Sequence, residues 1–135
     1  MGDSLRLLAT YGTLMQAGGG FERLGVADRV SVVGACRFEG DLYDLGRFPG
    51  AVPGAGTVRG ELVRLSDVQV WAVLDRYEGY DPDNEAASLF VRRRVSLAET
   101  ADQTAWVYWY NGDPGEASRV PSGDWHADAR GGGSP

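Results

Sequence analysis

One stretch of this chain has the periodicity of a well-formed helix, and strand-like runs surround it on both sides. Ser66 to Pro82 reads SDVQVWAVLDRYEGYDP. Val68, Trp71, Leu74 and Glu78 recur at helical spacings, and Val70 and Tyr77 widen the apolar stripe. Ser66 is placed to cap the N-terminus, with Gln69 three residues on completing a capping box. Asp67 falls in the first turn, where the helix dipole favours an acid. Gly79 predicts a left-handed stop, and Pro82 blocks an easy restart. The other strand-like segments are Leu5–Ala9, short and apolar, Asp28–Leu45 and Leu89–Leu97, which alternate, Thr57–Leu65, which leads to Ser66, and Gln103–Asn111, with aromatics on both faces. In Asp28–Leu45, Val30, Val32, Gly34, Cys36, Phe38, Gly40 and Leu42 share one parity, and Gly34 and Gly40 are suited to bends or bulges that curve a sheet. Five or six strands, one good helix and no regular βαβ alternation favour an α+β fold, a small mixed β-barrel with helix packed beside it, over a doubly wound sheet.

The connections are rich in turn residues. Gly18-Gly19-Gly20 argues for a loop with at most a short helix at Phe21–Leu24, and it lacks the GKS or GKT ending of a phosphate loop. Gly46–Gly56, with two prolines, reads as a loop, and Tyr80–Ser88 as a polar one. Without a repeat or linker, residues 1–126 are expected to form one domain, followed by a disordered tail over 127–135.

Composition narrows the function classes. The chain has 135 residues, 43% of them hydrophobic, which suffices for one core. Its formal net charge of −6 argues against nucleic acid as a partner, since phosphate binding needs a basic surface. No apolar run approaches membrane-spanning length, and no basic segment precedes an apolar one, so a cytoplasmic protein is expected. The single cysteine, Cys36, excludes an internal disulfide and reads as a small buried hydrophobe. The single histidine, His126, lies far along the polar C-terminal stretch. A Cys-His nucleophile pair and a transition-metal site are therefore not expected, and no acidic cluster points to magnesium.

Glu78 stands out against this background. It projects from the face that carries Trp71 and Leu74, whereas Asp75 and Arg76 are expected on the solvated side. Burying an ionised carboxylate without a partner costs several kcal/mol, so desolvation would raise its pKa toward neutrality, which suits a general base. The plainer alternative is an acid in the last helical turn that bends out to water or pairs with an arginine.

A set of further motifs surrounds it in a fixed order: Tyr11-Gly12-Thr13-Leu14; Gly40-Asp41-Leu42-Tyr43 with Phe48-Pro49-Gly50; Gly60-Glu61-Leu62; Leu74-Asp75-Arg76-Tyr77-Glu78-Gly79-Tyr80; Phe90-Val91-Arg92-Arg93; Ala105-Trp106-Val107-Tyr108; and Pro121-Ser122-Gly123-Asp124-Trp125. This order and spacing resemble the gamma-glutamylcyclotransferase-like superfamily over roughly Leu5 to Trp125. The YGTL form looks like the gamma-glutamylamine cyclotransferase branch and its small bacterial relatives. The resemblance implies a small mixed β-barrel with flanking helices. It also implies a lyase- or acyltransferase-type reaction, in which a small-molecule γ-glutamyl substrate cyclises to 5-oxoproline and releases its amine. Neither a metal nor an organic cofactor is implied. The family's catalytic glutamate falls on Glu78, and its glutamyl-binding loop on Tyr11, Gly12, Thr13 and Leu14.

Other residues carry weaker expectations. Arg93 shares parity with Leu89, Val91, Val95 and Leu97, so it could point inward toward Glu78 or a substrate carboxylate, or stay solvated on an edge strand. Tyr43 and Tyr110 are either pocket walls or core aromatics. Retention of both YGTL and Glu78 favours an enzyme. A non-catalytic domain that binds a glutamyl-like ligand on the same barrel is the alternative. The leaving amine and the oligomeric state have no readable code.

Overall fold

The structure is a computed structural model that describes residues 6–12, 14, 19–98 and 103–125. Thr13, Gly18, His126 and the expected tail over 127–135 lie outside the described residues. Six strands form one mixed sheet: β1 (Leu7–Thr10), β2 (Val30–Asp44), β3 (Pro49–Leu65), β4 (Phe90–Ser96), β5 (Thr104–Tyr110) and β6 (Ser118–Arg119), in the order β4-β5-β1-β3-β2-β6. Two helices accompany it, α1 (Gly20–Arg23) and α2 (Val70–Glu78). β1 runs parallel to β5 and antiparallel to β3, and the remaining pairs are antiparallel. The sheet curls into a half-barrel. Ala98 N–H, just past edge strand β4, donates to the Arg37 carbonyl of β2 at 2.8 Å, although β2 and β4 are not neighbours in the sheet.

The expected strands and the short first helix are present, and the expected proline loop is mostly strand. β3 begins at Pro49, where a missing N–H does not interrupt a ladder. Its turn residues 53–56 sit in a wide bulge opposite β2, because the register jumps between Glu39/Thr57 and Asp41/Val52. Asp41 holds that bulge: its Oδ1 accepts the Gly56 N–H at 3.0 Å and the Arg119 guanidinium at 3.1 Å. A second register shift lies at Gly34. Turn chemistry in this chain bends one long hairpin as well as ending strands. β6 answers no periodic signal in the sequence, being only two residues long and paired to Tyr43 and Asp44.

β1 is buried on both faces. Leu7, Ala9 and Tyr11 pack with Phe38, Val58, Val107 and Trp109 on one side. Leu8 packs on the other side with Val63, Leu65, Phe90, Tyr108 and the α2 residues Val70, Trp71 and Leu74. Each of these three helix side chains contributes roughly 1.5–3 kcal/mol on burial, which fixes α2 against the sheet and fixes the direction of its C-terminus.

The start of α2 differs from expectation. The helix begins at Val70, with no side-chain cap on Gln69. Ser66 is not the cap, because its N–H and hydroxyl both donate to the Arg29 carbonyl, at 2.9 and 3.3 Å. Asp67 takes the local role, with Oδ1 accepting the Gln69 N–H at 2.8 Å. Val68, expected in the apolar stripe, is therefore left before the helix and exposed. The far end follows expectation. Gly79 stands at φ 69°, its N–H donates to the Arg76 carbonyl, and the Tyr80 N–H donates to the Asp75 carbonyl.

Candidate active site

The last residue of α2 is Glu78, and it faces a cavity of about 280 Å³. Five pieces of chain build the walls: the exit of β1 (Leu8–Gly12, with Leu14), the turn into β3 (Arg47, Phe48, Pro49), the end of α2 (Tyr77, Glu78), the start of β4 (Leu89, Phe90) and Tyr108 of β5. Leu8, Ala9, Thr10, Phe90 and Tyr108 are buried and form the floor, while Arg47, Tyr77 and Leu89 are exposed and form the rim. Glu78 is half-buried between them.

Glu78 has no hydrogen-bond or ion-pair partner among the described residues. Burial with nothing to stabilise the charge pushes its carboxyl from the ordinary 4.5 up to about 7. The solvated-acid and arginine-paired alternatives are both corrected by this geometry. Arg93 is not its partner: on edge strand β4 it turns outward to Glu85, with Nη2–Oε1 at 2.8 Å and Nη1–Oε2 at 3.0 Å. Inward parity does not bury a residue on an edge strand, where a long cation can follow solvent to an acid.

The opposite wall is tightly set. A Cβ on Gly12 would meet Pro49 Cγ at 2.7 Å, so glycine is what allows the β1 exit to lie against the turn into β3. Gly60 serves β1 from the other side, since a Cβ there would strike the Thr10 carbonyl oxygen. Tyr11 is buried, and its hydroxyl is committed to structure. It donates to the Tyr108 carbonyl at 2.6 Å and accepts the Ala51 N–H at 3.1 Å. Tyr11, Gly12 and Leu14 thus come together with Glu78 around one cavity. Tyr110 packs on Phe90 and over Gly50, and Tyr43 pairs with β6, so neither lines this cavity.

A supporting network lies behind Tyr108. Its hydroxyl donates to Asp75 Oδ1 at 2.6 Å, and Asp75 also receives Arg92 through Nε at 2.9 Å and Nη2 at 3.0 Å. Arg92 lies over the rings of Trp71 and Trp106, at 4.5 and 5.0 Å from their centroids. Burial and the Asp75 carboxylate both push the Tyr108 hydroxyl up, which keeps it protonated as a donor. Asp75 was expected on the solvated side of the helix. It sits three residues before Glu78, a spacing that places both acids on neighbouring faces and was available as a signal. Nothing in the aromatic run of β5 distinguishes Tyr108 from its neighbours. Arg47 likewise carries no motif, and its place on the rim comes from the β2–β3 turn alone.

The structure is thus a curled mixed half-barrel in which one unpaired carboxylate and a glycine-formed strand exit line the same cavity. The chain belongs to the family described as "Gamma-glutamyl cyclotransferase, AIG2-like", whose sequence model matches residues 8–127. It is 36% identical over 84 residues to the gamma-glutamylcyclotransferase family protein YtfP of Escherichia coli, a match that covers 62% of this chain and 66%, about two thirds, of that protein. The solution structure of E. coli ytfP is similar at a TM-score of 0.64 and 29% identity, over 88% of this chain and 95% of that one. The crystal structure of an AIG2-like protein from Mus musculus shares the fold at a TM-score of 0.61 and 18% identity, over 81% and 80% of the two chains. Among the described residues, no helix is long and apolar enough to cross a membrane, and no group of three or more His, Cys, Asp or Glu is placed to hold a metal ion.

Proposed function

We propose that the protein is a cyclotransferase that converts a γ-glutamyl amine or γ-glutamyl amino acid to 5-oxoproline and the free amine, with Glu78 as its general base and acid. The observation that carries this is the unpaired, half-buried Glu78 carboxyl, raised to about 7, across the cavity from the Tyr11–Gly12–Leu14 strand exit. Residues 1–126 act as the one catalytic domain in this reading.

The reaction needs a group that is a base first and an acid second, and a carboxyl near neutrality does both at pH 7. Glu78 as carboxylate takes a proton from the substrate's α-ammonium, which frees the nitrogen lone pair. That nitrogen attacks the γ-carbonyl carbon, and the carbonyl electron pair moves onto oxygen. As the oxyanion re-forms the carbonyl, the bond to the leaving nitrogen breaks, and protonated Glu78 supplies the proton that nitrogen needs. The surplus proton on the ring nitrogen leaves with the departing amine or to solvent, and Glu78 ends as carboxylate. Nucleophile and electrophile belong to one molecule, so holding the glutamyl chain folded supplies much of the acceleration. The segment from Tyr11 to Leu14, with Thr13, is assigned the task of holding it, because Gly12 lets the backbone approach closely.

The test is to incubate the purified chain with a panel of γ-glutamyl amines and amino acids and to quantify 5-oxoproline by mass spectrometry. Glu78→Gln should keep the fold and lower turnover by about 10²–10⁴-fold. Unchanged turnover in that variant would overturn the assignment. Binding of glutamyl ligands with no product from the wild type on any substrate would identify a binding domain instead.

A further inference from the structure

The rim of the cavity has an uneven chemistry. Its floor is apolar apart from Thr10 and the Tyr108 hydroxyl, which are bonded to Glu61 and Asp75. Among the described wall residues, the one anionic side chain is Glu78 and the one cationic side chain is Arg47. Arg47 is exposed on the turn between β2 and β3, and it has no acidic partner among the described residues. Its position is set by its neighbours. Asp44 Oδ1 accepts the Gly46 N–H at 2.8 Å, Gly46 turns at φ 102°, and Leu45 N–H donates to the Phe48 carbonyl at 3.1 Å. Pro49 then locks against Gly12. Of the other arginines, Arg92 pairs with Asp75, Arg93 with Glu85 and Arg119 with Asp41, and none of the three lines the cavity. Across the rim, Tyr77 and Leu89 are exposed large hydrophobics, at 40% and 45% of their surface.

Building on the reaction proposed above, we propose that Arg47 is a specificity residue that receives a carboxylate on the leaving group, so that the released amine is an amino acid with an apolar side chain. The γ-carbonyl must lie beside half-buried Glu78, which directs the small glutamyl part toward the closed floor and the departing part toward the rim. There the departing part meets one unpaired guanidinium and two apolar side chains. A guanidinium offers a carboxylate two parallel N–H donors, and a neutral amine gains nothing from it.

The experiment compares γ-glutamyl-leucine with γ-glutamyl-isopentylamine, which differ only in the leaving-group carboxylate, on the wild type and on Arg47→Gln. An exposed ion pair of this kind is worth a modest factor, so the wild type should favour the leucine compound by about fivefold in kcat/KM. Arg47→Gln should lose that preference through KM while turning over isopentylamide as before. Equal loss on both compounds would assign Arg47 to the α-carboxylate and overturn the proposal, as would no preference in the wild type. If neither compound yields 5-oxoproline, the cyclisation fails and calorimetry decides the Arg47 assignment by itself. Tighter binding of the leucine compound by the wild type, abolished in Arg47→Gln, supports it, whereas equal binding or none overturns it.

Discussion

The Tyr108 hydroxyl lies 2.6 Å from Asp75 Oδ1, so the strand residue in the cavity floor is bonded to the helix that ends in Glu78. This bond spans 33 positions of sequence and ties β5 to α2 near the Glu78 carboxylate. Its worth can be measured. Tyr108→Phe removes a donor to a charged acceptor and should lower unfolding free energy by about 1.5–3 kcal/mol in urea. Asp75→Ala should cost about 3–5 kcal/mol, because it leaves Arg92 charged and unpaired between two tryptophans. An Asp75→Ala loss no greater than that of Tyr108→Phe would show that the ion pair adds nothing beyond the hydroxyl contact.

The raised Glu78 carboxyl sets two opposite pH dependences. The folded state holds this proton up to about pH 7, and the unfolded chain releases it near 4.5. Between those values the folded state binds more protons, so stability falls as pH rises through the window. Glu78→Gln removes the penalty and should make the protein more stable than wild type at pH 8, by up to about 3 kcal/mol, with the difference shrinking toward pH 4.5. Chemical denaturation at both pH values measures it.

Activity should run the other way. Glu78 must begin as carboxylate, so kcat/KM on a γ-glutamyl substrate should fall as pH drops through about 7. A rate profile that stays flat from pH 8 to pH 5 would remove Glu78 from the role of base.

Gly12→Ala should disturb the cavity without touching an acid or base. The added Cβ meets Pro49 Cγ at 2.7 Å, and both atoms sit on restrained backbone. Relieving the overlap should cost about 1–3 kcal/mol, with a larger fractional loss of turnover than of melting temperature, because the β1 exit moves relative to Glu78. Normal kinetics in this variant would show that the strand exit takes no part in holding substrate.

Arg93 supplies the contrast. Its pair with Glu85 is exposed and screened by water, so Arg93→Gln should leave the melting temperature and kcat close to those of the wild type. Loss of turnover would mean that Arg93 reaches the cavity when substrate is bound.

Hydrophobic period and turn chemistry made the strands and the one long helix legible, because those signals are local. The αL stop at Gly79 follows from the same local chemistry, and with it the position of Glu78 as the last helical residue. The start of that helix was misread, since Ser66 could not reveal that it would bond to the Arg29 carbonyl from a turn 37 residues earlier. Gly46–Gly56 was misread in the same way: proline and glycine signal a break, and only the facing strand with Asp41 turns the break into a bulge within β3.

The sequence by itself determined the family, a small curved mixed sheet with a helix beside it and the misplaced acid, because each rests on residue type and spacing along the chain. Tertiary structure decided which groups surround that acid. It turned Arg93 out to Glu85, brought Arg92 to Asp75, set Tyr108 in the cavity floor and left Arg47 on the rim. The physical reason is range. Periodicity and capping act over a few residues, whereas desolvation and ion pairing depend on whichever charges the folded sheet brings within a few ångströms.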